Sequence, residues 1–244
     1  LDLQEQTLNS ISIPRDLEVE IPGHGPGKIN GAYGLGIEQD PGNRIAGVAM
    51  MRDTIEYNFG VLIDNYVMID FEGFKDVVDA VGGIDITVPE PIVDEAYPTE
   101  DYGTRTFTVP AGRQHMDGET ALAYARTRHQ DSDDQRRERQ MLVIQALLQK
   151  GQGFGSLTRV ADLITALSGA AMTSFRWEEQ LALGSLALRI EPANVRMANI
   201  EQPLIEPGTA EDGAWIYTGD LDAIATYIES ALAGEVEGDT SPLL

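Results

Sequence analysis

The sequence predicts a mixed α/β fold, a central β-sheet flanked by helices on both faces, and three observations carry that reading. Segments of alternating apolar residues are interleaved with segments of helical apolar spacing along the chain. Hairpin-like pairs near the start argue for a mixed rather than wholly parallel sheet. No low-complexity linker or shift in composition divides the 244 residues, 42% of them hydrophobic, so a single domain over 1–244 is expected.

Thr7 to Ile13 and Leu17 to Ile21 read as strands, interrupted by Pro14, Arg15 and Asp16. Pro and Gly make Ile21 to Gly36 loop-like, and a helix follows from about Asn43 to Tyr57. Val61 to Asp70 alternates with a slip near Asp64 and Asn65, a strand with an irregularity. Phe71, Phe74, Val77, Val78 and Val81 stand at helical spacing, and Gly82 and Gly83 stop that helix. Ile84 to Val88 is a short strand, Pro89 to Thr99 is loop-like, and Thr106 to Val109 is a further strand. Asp117 opens a helix through Tyr124, and Ser132 to Lys150 is the longest helix. Helices are expected over Leu157 to Leu167 and, capped by Ser174, over Trp177 to Leu188. Strands follow at Val195 to Ile200 and Trp215 to Tyr217, and Asp220 caps a last helix to about Leu232.

Composition narrows the function. Forty Asp and Glu against seventeen Lys and Arg give a net charge of -23, which disfavours nucleic acid, whose phosphate backbone needs an extended basic footprint. Any anion must be held by concentrated, short-range contacts. There is no cysteine, so disulfides and thiolate metal sites are excluded, and His24, His115 and His129 lack the spacing of a zinc motif. The longest mostly apolar stretch, Val160 to Met172, carries Asp162 and is too short to span a bilayer, as in a soluble piece. The chain opens on Leu1 and Asp2 and runs at once into a strand, so upstream sequence, including an export signal or anchor, is expected.

Against that acidity, Arg126, Arg128, Arg136, Arg137 and Arg139 crowd one stretch. Ser132 and Gln135 form an S-x-x-Q capping box, which puts Arg136, Arg137 and Arg139 in the first turns of the long helix, where cations oppose the dipole. Asp131, Asp133, Asp134 and Glu138 could offset them as a salt-bridged surface helix. Helical phase offers another reading. Ile144, Leu147 and Leu148 form an apolar stripe, and stepping back from it reaches Gln140 and Arg136, with Arg139 beside them and Arg137 turned away. Arg126 and Arg128, two apart in an extended segment, project to one side. Guanidinium forks suit phosphate, so a phosphate or pyrophosphate site stands beside the salt-bridged surface, and residue type leaves both open.

Five ordered blocks then carry a resemblance. SIPRD (Ser12 to Asp16), KIN with AY (Lys28 to Asn30, Ala32, Tyr33), VDAVGGIDITV (Val78 to Val88), GxxALAYARTRH (Gly118 to His129) and RxxRQ (Arg136 to Gln140) closely resemble the LytR-CpsA-Psr family over about residues 10–150. The resemblance implies a membrane-anchored, extracytoplasmic phosphotransferase of bacteria. Such enzymes move a glycopolymer, such as teichoic acid or capsule, from a polyprenyl-pyrophosphate carrier to a peptidoglycan sugar, usually with magnesium, and hold the lipid in a hydrophobic pocket. It also implies a pyrophosphate site of Arg15, Arg126, Arg128, Arg136 and Arg139 with Gln140, of which Arg15, Arg126 and Arg128 are the catalytic set.

GHGPGKIN lacks both the spacing of a nucleotide P-loop and its Ser or Thr after Lys, so a nucleotide loop is excluded; Lys28 is read into the pyrophosphate set as part of a flexible lid, with an exposed loop lysine as the alternative. Asp16 follows the family pattern as a turn-capping residue or an arginine's partner. The family's magnesium-binding aspartates belong to a segment upstream of Leu1, and its Asp-Phe pair reads Asp133, Asp134 here. Leu142, Ile144, Leu147 and Leu148 cannot be divided between core and lipid pocket by sequence. Two other classes stand beside transfer: a polyprenyl-phosphate binding protein without catalysis, and a transcriptional attenuator, the family's historical description.

Overall fold

A computed structural model describes residues 7–99, 103–127, 133–153, 156–187, 189–191, 194–210 and 212–236, with the side chains of 133, 134, 137, 157 and 187 outside the description. The first elements are β1 (Leu8–Ser12), β2 (Glu18–Ile21), β3 (Gly25–Lys28), α1 (Gly31–Gln39), α2 (Arg44–Phe59), β4 (Val67–Ile69) and α3 (Phe71–Ala80). They are followed by β5 (Ile84–Val88), β6 (Ile92–Pro98), β7 (Thr104–Val109), β8 (Gly112–Met116), α4 (Gly118–Arg126), α5 (Asp133–Gln152) and α6 (Leu157–Ala166). The last are β9 (Ala171–Thr173), α7 (Trp177–Ala187), β10 (Val195–Asn199), β11 (Ile205–Thr209), β12 (Trp215–Gly219) and α8 (Leu221–Leu232).

The fold is mixed α/β. Among the described residues its strands pair as six two-stranded ladders in place of one continuous central sheet, and only β1–β10 is parallel. The helices begin where side chains satisfy their orphan N–H groups. Asn43, Asp70, Asp117 and Asp220 each accept from an amide of the first turn. Ser174 does not cap α7; its hydroxyl accepts from Tyr66 N and donates to Asn65 Oδ1, and Glu179 takes the Arg176 amide instead.

The chain packs as two compact units, one from residues 1–64 with 193–244 and the other from 65–192. In the first, Leu17, Val19, Ile21, Ile29, Ala32, Phe59, Ile200, Ile205, Ile224 and Ile228 form the core. The expected Gly-rich loop is a hairpin, β2–β3, closed with Gly23 and Gly25 at positive φ, and the helix α1 follows it directly. The side chain of Asn58 on α2 donates to Glu20 O and accepts from Glu20 N, so a helix side chain completes the edge of β2.

In the second unit, β5, β6, β7 and β8 enclose a core with Val78, Tyr124, Val143 and Ala146. Full burial of side chains such as Ile84 or Met116 contributes about 1.5–3 kcal/mol each. Pro89 to Thr99 is a strand rather than a loop over most of its length. Ile92 and Asp94 of β6 point inward, a register irregularity falls between Asp94 and Tyr97, and Tyr97 then returns to the inner face. Of the expected strand from Val61 to Asp70, only Val67–Ile69 is one.

Close approaches leave no room for a side chain at several glycines. A Cβ on Gly36 would collide with the backbone of Ala46 and Gly47, where α1 crosses α2. Gly36→Ala is expected to lower stability by about 1–3 kcal/mol, read as a fall in the urea midpoint with an unchanged m value. An unshifted midpoint would contradict the close crossing.

Candidate functional site

In the first unit, Arg15 sits in the turn between β1 and β2. That turn is pinned by main-chain bonds: Leu17 N to Pro14 O, Asn30 N to Arg15 O and Tyr217 N to Asp16 O. Asp16 receives the Lys28 ammonium at 2.9 Å and lies 3.6 Å from Arg15 Nε. Lys28 is therefore no flexible lid. It ends β3, opposite Glu18, and is held by Asp16. The Arg15 side chain is 65% exposed, so its pairing with Asp16 is weak and the guanidinium is open to an anion.

In the second unit the site is built where α4 ends. Arg126 is the last residue of α4, where the helix dipole favours a cation, rather than part of an extended segment. Its guanidinium carbon lies 4.0 Å from the centroid of the Phe71 ring. Its charge also acts on the Tyr97 hydroxyl. Burial raises the pKa of that hydroxyl despite the opposing charge of Arg126, which keeps Tyr97 a neutral donor. The next residue, Thr127, is buried and donates its hydroxyl to Asp94 Oδ2 at 2.5 Å, while Asp94 Oδ1 takes the Ala96 amide within the irregularity of β6.

Arg139 reaches the same point from α5. It is 6% exposed, and its Nε donates to Tyr124 O at 3.0 Å and its Nη2 to Thr127 O at 2.6 Å. These carbonyls belong to the end of α4, where oxygens lack intrahelical partners. Arg139 is thus a strut that fixes the direction of the chain leaving α4.

The expected helical phase was one residue out. Among the described side chains of α5 the buried ones are Arg139, Val143 and Ala146; of the expected stripe Ile144, Leu147 and Leu148, Leu147 packs against the core while Ile144 is 42% exposed. Leu142, Val143, Ile144, Leu147 and Leu148 cover so wide an arc that apolar spacing could not select the phase. Consequently Arg136 is half-buried and Gln140 exposed, its amide donating to Ala125 O at 3.3 Å beside Arg126. Arg128 and Ser132 lie outside the described residues, as do the side chains of Asp133, Asp134 and Arg137.

Sequence reasoning missed Phe71, Asp94, Tyr97 and Thr127. The signal for Asp94 was a polar residue two positions after Ile92, which would have been visible had the segment been read as a strand. Among the described residues, no group of three or more His, Asp or Glu is arranged to hold a metal ion. No helix among them is long and apolar enough to cross a membrane.

The strut and the ligand-facing cations separate experimentally. Arg139→Ala strands two buried carbonyls and removes a buried cation, and is expected to cost about 3 kcal/mol. Arg126→Gln is expected to cost less, about 1 kcal/mol, the worth of a half-buried cation–π contact. Denaturant unfolding of both variants checks the difference, and equal losses would contradict the assignment of Arg139.

Comparison with known proteins places this geometry. The chain is 35% identical over 188 residues to the polyisoprenyl-teichoic acid–peptidoglycan teichoic acid transferase TagV of Bacillus subtilis (strain 168), an alignment covering 75% of this chain and 45% of that protein. It is 32% identical over 223 residues to TagU, of the same name, from Bacillus mycoides (strain KBAB4), covering 89% and 64%. The chain spans about half the length of the curated relatives it matches. The crystal structure of B. subtilis TagV matches with a TM-score of 0.76 at 27% identity, covering 96% of this chain and 86% of that one. The sequence model of the LytR_cpsA_psr family matches residues 1–231, a span that includes the SIPRD turn, the end of α4 and the arginines of α5. The chain with these two cationic clusters belongs to the LytR_cpsA_psr family.

Proposed function

We propose that this protein is an extracytoplasmic phosphotransferase that moves a glycopolymer from a polyprenyl-pyrophosphate carrier to a hydroxyl of peptidoglycan. The observation that carries the reading is the end of α4, where Arg126 and Gln140 are held side by side by contacts that do not use an anion. Family membership and relatives named for teichoic acid transfer support the choice of substrate. In this reading the protein is anchored to the cell membrane through sequence outside this chain.

In the second unit Arg126, Arg128, Arg136 and Gln140 bind pyrophosphate oxygens, and in the first unit Arg15 and Lys28 are assigned to anion binding. The acceptor hydroxyl oxygen attacks the glycan-side phosphorus. A new P–O bond forms, the bond from the glycan-side phosphorus to the bridging oxygen breaks with its electron pair going to polyprenyl phosphate, and the hydroxyl proton passes to water. Fixed guanidiniums stabilise the charge that develops on the phosphoryl oxygens, the usual protein contribution to such transfers. Arg139 acts one step back, by fixing the main chain between Arg126 and Arg128. Magnesium, implied by the family, would add charge neutralisation at the phosphoryl oxygens.

The test is transfer from a polyprenyl-pyrophosphate-linked glycan to peptidoglycan fragments by the purified protein. Arg126→Gln and Arg128→Gln are each expected to cut kcat/KM by about a hundredfold or more, the scale for losing one charge-stabilising donor, with little change in Tm. Undiminished transfer by both variants would remove the role. Tight binding of the carrier with no turnover, with or without added magnesium, would favour a binding protein instead.

A further inference from the structure

We propose that the second unit holds a separate binding pocket for a phosphate-class anion, formed by Arg113, Lys150 and Arg159 around Asp85. The cavity is about 410 Å³ and is lined by these four residues with Ala146, Gln149 and Gly153. That volume lies within the range of small-ligand sites. Its cations converge from three elements, Arg113 from β8, Lys150 from the last turn of α5 and Arg159 from α6, while Asp85 comes from β5.

The charge arithmetic makes the convergence informative. Acidic residues outnumber cations forty to seventeen, so a cation on this surface meets a carboxylate readily. Here three cations line one cavity whose lining holds a single carboxylate. Asp85 Oδ2 is 3.5 Å from Lys150 Nζ and 3.9 Å from Arg113 Nη2, both beyond hydrogen-bond distance. Its other oxygen is engaged by His115 Nδ1 at 3.0 Å. The lining therefore has an excess of two positive charges, with Arg113 and Lys150 only loosely engaged by Asp85.

Asp85 is ionised across the neutral range, because the His115 hydrogen bond lowers its pKa, with Lys150, the His115 charge and Arg113 adding to the effect. It fills the place of a weak internal competitor, holding the cations together until an oxyanion replaces it. Guanidinium forks and an ammonium match the oxygens of phosphate. Lys150 is fourteen residues beyond Arg136 on α5, about 21 Å at 1.5 Å per residue, so the pocket is distinct from the arginines at the start of that helix. A phosphodiester of an anionic polymer and a free phosphate ion share the required chemistry.

Heteronuclear NMR titration of the protein with inorganic phosphate and, in parallel, with a short glycerol-phosphate oligomer tests the pocket. Saturable shifts are expected at the amides of Arg113, Lys150 and Arg159. Lys150→Gln and Arg159→Gln should each weaken the site by about tenfold, the scale of one charged hydrogen bond. Asp85→Asn should tighten it by about threefold, because a competing charge is removed. Arg105→Gln, a surface cation paired with Glu119 outside the pocket, should leave it unchanged. Tighter binding of the oligomer at equal phosphate concentration supports the pocket as a phosphodiester site, and equal binding supports it as a phosphate-ion site. Absence of saturable shifts with both probes, or an Asp85→Asn variant that binds no tighter, would overturn the proposal.

Discussion

The candidate site in the second unit depends on one buried cation. Arg139 donates to Tyr124 O and Thr127 O, two carbonyls at the end of α4. A helix C-terminus leaves oxygens unsatisfied, and at the protein surface water would take them. Here the place is buried, and a guanidinium supplies several donors in fixed geometry. Thr127, held by Arg139 through its carbonyl, is held by Asp94 through its hydroxyl. Asp94 in turn accepts from the irregular part of β6, whose extra residue returns Tyr97 to the inner face. Strand, helix end and second helix are thus joined through a single threonine.

That arrangement divides labour among chemically identical side chains. Arg139 is committed to backbone, and half-buried Arg126 rests on the Phe71 ring. A guanidinium stacked on an aromatic face keeps its in-plane donors for a ligand, which a close carboxylate pair would occupy. In the first unit the same economy appears in another form, with Lys28 bonded to Asp16 and Arg15 left exposed. Preorganisation of this kind matters for phosphoryl transfer, where the protein contributes position and charge more than covalent chemistry.

Much of this was legible in the sequence, for identifiable reasons. Helices α4 and α8 were read within a few residues because Asp117 and Asp220 announce their starts, and α3 because Phe71, Phe74, Val77, Val78 and Val81 stand at helical spacing, whereas its cap Asp70 was read as the end of a strand. Strands with simple alternation, β5 and β10, were equally clear. The hairpin β2–β3 was hidden by glycines that serve as turn residues, and β6 by prolines at its ends and a register irregularity within it. The motif arginines were visible as a group, but their division was not. In α5 the apolar residues cover several neighbouring angles, so the phase is set by tertiary contacts, and Arg139 rather than Gln140 turns inward. Asp94 and Tyr97 were lost with their strand.

The central claim is that Arg139 holds the site while Arg126 and Arg136 serve the ligand. A crystal structure with a short-chain polyprenyl pyrophosphate bound tests it most directly. The account predicts diphosphate oxygens within about 3 Å of the Arg126 and Arg136 guanidiniums, a charge-assisted hydrogen-bond distance, with Arg139 still on the carbonyls of Tyr124 and Thr127. A diphosphate bound by Arg139 after it has left those carbonyls, or one that makes no contact with Arg126, would contradict it.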